Sequence, residues 1–393
     1  MTTIPLSVLD LSPFGSGQTP ADGLRASIAL AQRAERLGYS RYWLAEHHLN
    51  PGVAGAAPHV LLASIADATE RIRIGTAATI IGNYSPLQVV EAAGVVSALH
   101  PGRFDLGIGR SGSTSSAQTP PAAAAAKERQ DRTVDGLLLP APHAFNAGAD
   151  RFIAQFRLLK RTAGDADRFE QDVHDILDLI AGTYVPPEGV PIRATPAEGQ
   201  DIQVWLHGST AGPSAELAGR LGLPFGANYH VAPSFVLDAV EAYRRAFQPG
   251  VLQEPHVIVS VDALVADSTN EALRLAAGFP HWVHSIRAGD GAIPYPTPDE
   301  ALAAPLDDAA LAIVSDRVAT QFVGNPYVVA ERLETLRRVT GADELLVTAV
   351  THDPADRERS YELLADVWGL EPWTPGDETT DAATREFATA GVA

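Results

Sequence analysis

The sequence predicts an α/β chain folded as a (β/α)8 TIM barrel, with insertions after strands 4 and 7. Three observations predict it. Short apolar runs alternate with helix-period segments at the spacing of βαβ units. Early runs end abruptly in chemistry: Tyr42-Trp43-Leu44-Ala45 stops at Glu46-His47-His48, and the runs over residues 72–79 and 104–110 soon end in polar, glycine-rich turns. Successive parallel strands that carry functional groups at their C-terminal ends point to a barrel whose mouth is the active site. The strand count, finally, reaches eight.

The elements follow in order. Residues 4–9 read as the first strand. Pro20 and Asp22 open a helix to residue 37, with Leu24, Ile28, Ala31 and Leu37 at helical spacing, and Gly38 stops it. Strand 2 covers 41–45, a helix 59–69, strand 3 72–79, a helix 87–99 and strand 4 104–108. The pattern then breaks. Residues 111–126 are rich in Ser, Pro and Ala without periodicity. Residues 111–164 therefore form an insertion, part loop and part helix, whose functional use would be as a lid over the mouth. Alternation resumes with a helix at 168–180, a proline-rich loop, strand 5 at 202–206, a helix at 215–221, strand 6 at 224–228, a helix at 234–247 and strand 7 at 257–266. A second excursion, 267–320, holds helical stretches broken by Gly289-Asp290-Gly291 and by Pro294, Pro296 and Pro298. A helix at 327–339, strand 8 at 345–350 and a closing helix at 354–368 complete the barrel. One domain is expected over residues 1–373, with 374–393, polar and poor in large apolar side chains, as a disordered tail.

The bulk numbers narrow the function. The 29 basic against 48 acidic side chains give a net charge of −19, the opposite of the basic footprint that nucleic acid or an anionic membrane surface requires. With no cysteine in the chain, disulfides and thiol catalysis are excluded. The N-terminus lacks the pattern of a signal peptide and no run of about 18 apolar residues occurs, so a cytoplasmic enzyme acting on a small molecule is expected.

Several motifs compete for the chemistry. Gly107-Ile108-Gly109-Arg110-Ser111-Gly112 matches the dinucleotide fingerprint, but no helix can begin at Ser113-Pro121 and the match lies on the fourth strand rather than the first. A better reading is that small residues admit a ligand close to the backbone while Arg110 clamps a phosphate with its fork of donors. His207-Gly208-Ser209-Thr210 closes strand 5 shortly before a helix; Ser209 and Thr210 either cap that helix or help bind an anion. Ser111 misses the nucleophile-elbow pattern and its strand-to-helix turn. His47 and His48 are adjacent, so they point to opposite sides of an extended segment, and no further spaced histidine set supports a metal. His47 is the better acid–base candidate and His48 the structural one. The doublet Ala77-Ala78 leaves open space above the barrel for a flat aromatic ligand.

Together, Trp43-Leu44-Ala45-Glu46-His47-His48, Gly75-Thr76-Ala77-Ala78, His100-Pro101-Gly102-Arg103-Phe104-Asp105-Leu106-Gly107-Ile108-Gly109-Arg110, Gly222-Leu223-Pro224-Phe225 and the opening Leu6-Ser7-Val8-Leu9-Asp10-Leu11-Ser12-Pro13 resemble the bacterial luciferase-like monooxygenase family, in its single-chain branch of flavin-dependent oxidoreductases. The resemblance is strong over 4–112, recognisable over 202–248 and weaker over 323–368.

The resemblance implies a TIM-barrel flavoprotein using reduced FMN and dioxygen. In a two-component monooxygenase of this kind, a separate flavin reductase supplies FMNH2 and oxygen is activated as a flavin C4a-(hydro)peroxide. By the same resemblance His47 stands at the reacting edge of the flavin. Ala77 and Ala78 lie under the isoalloxazine ring, where the family often has a non-proline cis peptide. Arg110 binds the phosphate, Ser209 and Thr210 fall near a second phosphate-binding turn, and Asn228 and His230 end strand 6 where flavin or substrate is contacted. A homodimer is implied as well. Residues 111–164 depart from the charged, arginine-bearing segment the family commonly has there. Two alternatives stand beside this reading: hydride transfer with deazaflavin F420 on the same barrel, and a flavin-binding protein without turnover.

Overall fold

Alternating apolar strands need two covered faces, and the chain provides them by closing on itself. The computed structural model describes residues 4–110, 130–143, 150–161, 164 and 168–374. Eight parallel strands, β1 (Leu6–Asp10), β2 (Arg41–Leu44), β3 (Arg73–Thr76), β4 (Phe104–Gly109), β5 (Ile202–Gly208), β6 (Phe225–Asn228), β7 (Val257–Val265) and β8 (Glu344–Thr348), pair in chain order. β8 then returns to β1, with Leu345 beside Leu6 and Val347 beside Val8. The expected (β/α)8 barrel is the fold.

The barrel helices are α1 (Pro20–Arg36), α2 (Pro58–Ala68), α3 (Pro86–Leu99), α4 (Phe169–Ala181), α5 (Pro213–Arg220), α6 (Val236–Ala246), α7 (Pro326–Thr340) and α8 (Pro354–Trp368). Most begin with proline, whose fixed φ and missing donor suit the first turn. Thr19 with Asp22, and Ser85 with Gln88, form reciprocal capping boxes on α1 and α3. Gly38 follows α1 at φ +84°, and a Cβ there would also fall 2.2 Å from the Glu371 carbonyl oxygen. Its role as a stop is thus both conformational and steric. Among the described residues no helix is long and apolar enough to cross a membrane.

Two regions differ from the linear reading. Strand 3, expected over 72–79, ends at Thr76; the Ala77–Ala78 peptide is cis, and pairing resumes at Thr79 and Ile80 against Ile108 and Gly109. The second insertion is a built part of the molecule. Its helices Thr269–Leu275, Phe279–Ala288, Pro298–Ala303 and Asp308–Thr320 lead to a strand, Phe322–Gly324, that extends the sheet on β7. Of the first insertion, a hairpin (Arg132–Val134 with Leu137–Leu139) and a helix (Asp150–Leu158) are described. The expected tail lies, beyond Thr374, outside the described residues.

One core fills the space between strands and helices. A second lies inside the barrel and above it, where Phe279, Trp282, Tyr295 and Val314 of the second insertion meet Leu9, Trp43, Trp205, Ile258 and Leu346. Below that layer the barrel floor is ionic. Asp105 Oδ2 accepts from Arg41 Nη1 at 2.7 Å and Trp43 Nε1 at 2.9 Å, while its Oδ1 accepts from Arg73 Nη2 at 2.6 Å. Arg41 Nε donates to Glu344 Oε2 at 3.1 Å, and the Ser7 hydroxyl donates to Glu344. These groups come from inward positions of β1, β2, β3, β4 and β8, so the network plugs one end of the barrel and leaves the C-terminal end for the strands to present chemistry.

Candidate active site

A cavity of about 550 Å3 opens at the C-terminal ends of the strands, within the size range of ligand pockets. His47, Ala77, Ala78, Arg110, Ser209, Thr210, Asn228 and His230 all border it. The structure therefore brings together every site residue expected from sequence.

The β2 end is anchored by a residue given no role above. Glu46 has a fully buried side chain. Its Oε1 accepts from His48 Nε2 at 2.7 Å and Asn83 Nδ2 at 2.6 Å, and its Oε2 from the Ile80 amide at 3.1 Å. Glu46 thus ties β2 to the segment just beyond the cis peptide and holds His48 in place. Both histidines border the cavity, but only His48 is engaged in this way. His47 is partly buried, and its Nδ1 has no hydrogen-bond partner among the described residues. Burial pushes its pKa down to about 4, so the ring is neutral at neutral pH, with one N–H and one lone pair to use.

Glycines shape the wall between β4 and β6. His207 of β5 points inward, its ring 5.5 Å from that of Trp43. A Cβ at Gly107 would fall 1.9 Å from the Thr76 carbonyl oxygen and 2.8 Å from His207 Nε2; one at Gly226 would fall 2.3 Å from His207 Nδ1. The first glycine of the false dinucleotide fingerprint is thus a packing requirement, made first by the Thr76 carbonyl of the neighbouring strand and then by a histidine a hundred residues away.

The β5–β6 side is polar. Asn228 Nδ2 donates to Ser209 Oγ at 2.9 Å, Ser260 Oγ donates to Asn228 Oδ1 at 3.2 Å, and His230 Nδ1 lies 2.6 Å from Ser260 Oγ. Helix α5 is not capped by Ser209 or Thr210: its N-cap is Gly212, without a side-chain hydrogen bond. Arg110 forms no ion pair and Thr210 no hydrogen bond among the described residues. The rim at β4 and β5 therefore offers a guanidinium and two hydroxyls with unused donors. The remaining floor, with Leu9, Leu11, Ala45, Val53, Ala77 and Ala78, is apolar.

Sequence reasoning missed contributions from both insertions. From the first, helix Asp150–Leu158 sends Arg151, Phe152 and Gln155 to the cavity, so an arginine is present in a region described above as departing from that pattern. Arg151 Nη2 donates to the His48 carbonyl oxygen at 3.2 Å, and its guanidinium packs on Gly291, where a Cβ would fall 2.4 Å from Cζ. The second insertion supplies Trp282, Ile286, Ala292 and Arg317, the last bonded to Asp262 of β7. The one legible signal was Asp262 itself, a lone carboxylate in the apolar run Val257–Val265. Among the described residues no cluster of three or more His, Asp or Glu is placed to hold a metal.

The neutral histidines set an acid limit on stability. Burial lowers His47 and His207 to about 4 and His230 to about 3, against 6.5 for a free imidazole. Below pH 6.5 the unfolded chain takes up protons that the folded chain refuses. Stability from these groups is therefore full above that value and falls through the window down to about pH 4, by about 1.4 kcal/mol per pH unit for each histidine. Urea midpoints are expected to drop between pH 7 and pH 5; a midpoint that holds or rises over this range would contradict the assignment of neutral buried rings.

Comparison with known proteins gives consistent matches. A family model described as luciferase-like monooxygenase matches residues 4–344. The chain is 36% identical to the uncharacterized protein YvbT of Bacillus subtilis, covering 92% of this chain and 96% of that protein. It is 32% identical to a luciferase-like monooxygenase of Escherichia coli, covering 93% and 97%. Among solved structures, apo-MsnO8 superposes with a TM-score of 0.73 at 33% identity, over 94% of this chain and all of that one.

Proposed function

This chain belongs to the luciferase-like monooxygenase family, and we propose that it is a cytoplasmic FMNH2-dependent two-component monooxygenase that oxygenates a small organic substrate. One observation carries the reading. A single cavity joins an apolar floor at Ala77 and Ala78 to a rim where Arg110, Ser209 and Thr210 hold unused donors. That combination fits a flat ring bearing a phosphate tail: the apolar floor takes the ring, and a guanidinium with two hydroxyls takes the dianion. When bound, reduced flavin supplies the oxygen-activating chemistry.

The chain's own residues orient and protect. Arg110, Ser209 and Thr210 fix the phosphate. Asn228, itself held by Ser260, orients Ser209. His47, neutral and uncommitted at Nδ1, holds or passes a proton at the reacting edge. Phe152, Trp282 and Ile286 keep water from the space above.

Replacing Arg110 with alanine is expected to raise the FMN dissociation constant about 10- to 100-fold, since charge-assisted hydrogen bonds are worth about 1.5–3 kcal/mol; anaerobic titration reads it, and an unchanged constant removes Arg110 from the site. Parallel titration with reduced FMN and reduced F420 separates oxygenation from hydride transfer, and binding of F420 alone would replace this reading with the second. Admitting oxygen to the FMNH2 complex, with FMNH2 supplied by an unrelated flavin reductase, then tests for oxygenated product. Flavin binding without product across a broad substrate panel would leave a non-catalytic flavoprotein. The reading includes a homodimer, for which Val60 of α2 and Leu87, Val95 and Leu99 of α3 provide exposed apolar side chains; sedimentation of a monomer at micromolar concentration would remove that part.

A further inference from the structure

With the cofactor on the arc from β3 to β6, the arc from β7 to β1 is left for substrate; its charged content is one ion pair, beside the Thr348 hydroxyl of β8, which is buried without a partner among the described residues. We infer that Asp262 and Arg317 form a two-point recognition site for a carboxamide carried on an apolar body. The inference rests on the function proposed above for the position of the cofactor, and on the following geometry for the rest.

Both side chains border the cavity and both are buried, at 5% and 8% exposure. Asp262 reaches the cavity from β7, three strands round the barrel from Arg110, and Arg317 comes from helix Asp308–Thr320 of the second insertion. They meet through one bond, Arg317 Nη2 to Asp262 Oδ2 at 2.8 Å. Asp262 Oδ1 and Arg317 Nη1 have no partner among the described residues, and Arg317 Nε is buried without one. Buried guanidinium–carboxylate pairs commonly close as a bidentate fork; this one keeps a donor and an acceptor in hand. Phe279 lies beside the guanidinium, 5.8 Å from Cζ to the ring centre, and Trp282 stacks on Phe279. The guanidinium is therefore oriented by packing as well as by Asp262.

The charge balance selects the ligand. Arg317 is already neutralised by Asp262, so a carboxylate bound here would leave one negative charge buried without compensation, at a cost of several kcal/mol. A ketone or ester would satisfy Arg317 and leave the Asp262 oxygen unpaired. A carboxamide satisfies both, its carbonyl oxygen accepting from Arg317 and its N–H donating to Asp262. The surrounding Leu9, Leu11, Ile286 and Ala292 suit an aliphatic or thioether remainder. A purely structural role, with the pair tying the insertion helix to β7, predicts no such discrimination, and this is what the test separates.

The experiment uses the cofactor-free protein and calorimetric or ligand-observed NMR titration with hexanamide, methyl hexanoate and hexanoate. Hexanamide is expected to bind at least tenfold more tightly than the ester, which lacks the N–H, and than the carboxylate. Asp262→Leu with Arg317→Met removes the acceptor and the donor together at similar volume and leaves no unpaired charge buried. The double variant is expected to bring amide and ester within about twofold of each other while its circular dichroism melt stays cooperative. Equal binding of amide and ester by the native protein, tighter binding of hexanoate, no binding of any probe at millimolar concentration, or unchanged discrimination in a folded variant would each overturn the inference. FMNH2 titration of the same preparation reports separately on the cofactor: amide discrimination without flavin binding defeats only the proposed function, and flavin binding without discrimination defeats only this site.

Discussion

His47→Ala is expected to lower product formation about 10²- to 10⁴-fold, the range for a positioned acid–base group, while FMNH2 affinity stays within a few-fold of native. The reason is the division of labour inside the cavity. The groups proposed to hold the phosphate end, Arg110, Ser209 and Thr210, follow β4 and β5, whereas His47 follows β2 with an uncommitted Nδ1. Removing the imidazole leaves Glu46 and its bonds to His48, Asn83 and Ile80 intact, so the backbone beside the ring keeps its course. The reaction should then run uncoupled, with oxygen consumed and little product made. Product per FMNH2 within twofold of the native enzyme would remove His47 from the chemistry.

Asp105→Ala should cost about 3–5 kcal/mol of folding stability, because it strands the Arg73 guanidinium inside the barrel and takes from Arg41 one of its two carboxylates, leaving it Glu344. Asp105 has no exposure, and Arg41 and Arg73 both depend on it; Trp43 Nε1 loses its acceptor as well. Total stabilities of about 5–15 kcal/mol make this a large fraction. Urea unfolding reads the change directly. A loss under 1 kcal/mol would mean that the floor network relaxes around the gap.

The barrel and the β2–β6 arc of the site were legible in the sequence for a physical reason: strands buried on both faces read as apolar runs, and their polar C-terminal residues fall at once after them. Glu46-His47-His48 and Arg110 could be found that way. Glu46 nonetheless escaped a role because its partners, Ile80 and Asn83, lie on another loop. The Asp262–Arg317 pair escaped because it joins a strand to a helix 55 residues later; the lone carboxylate in an apolar run marked Asp262, but nothing local separates Arg317 from a surface charge. The helical period in Asp150–Leu158 is short and buries no side chain fully, so nothing in its pattern marks Arg151 and Phe152 as cavity-lining. His207 was noted only as the start of a turn; its inward ring is explained by Gly107 and Gly226, which no local pattern connects to it.

The contact between Arg151 and Gly291 has a bearing on how such enzymes diverge. The aperture above the barrel is framed by two separately encoded stretches, one following β4 and one following β7, that touch where a side chain on the glycine would collide with the guanidinium. The firm constraint is on the glycine's own backbone, at φ +79°, where an L side chain is strained whatever its neighbours; the guanidinium ends a long side chain that can swing aside. The turn after β7 is thus the fixed side of the opening, and the arginine after β4 the side that can adapt as substrates change.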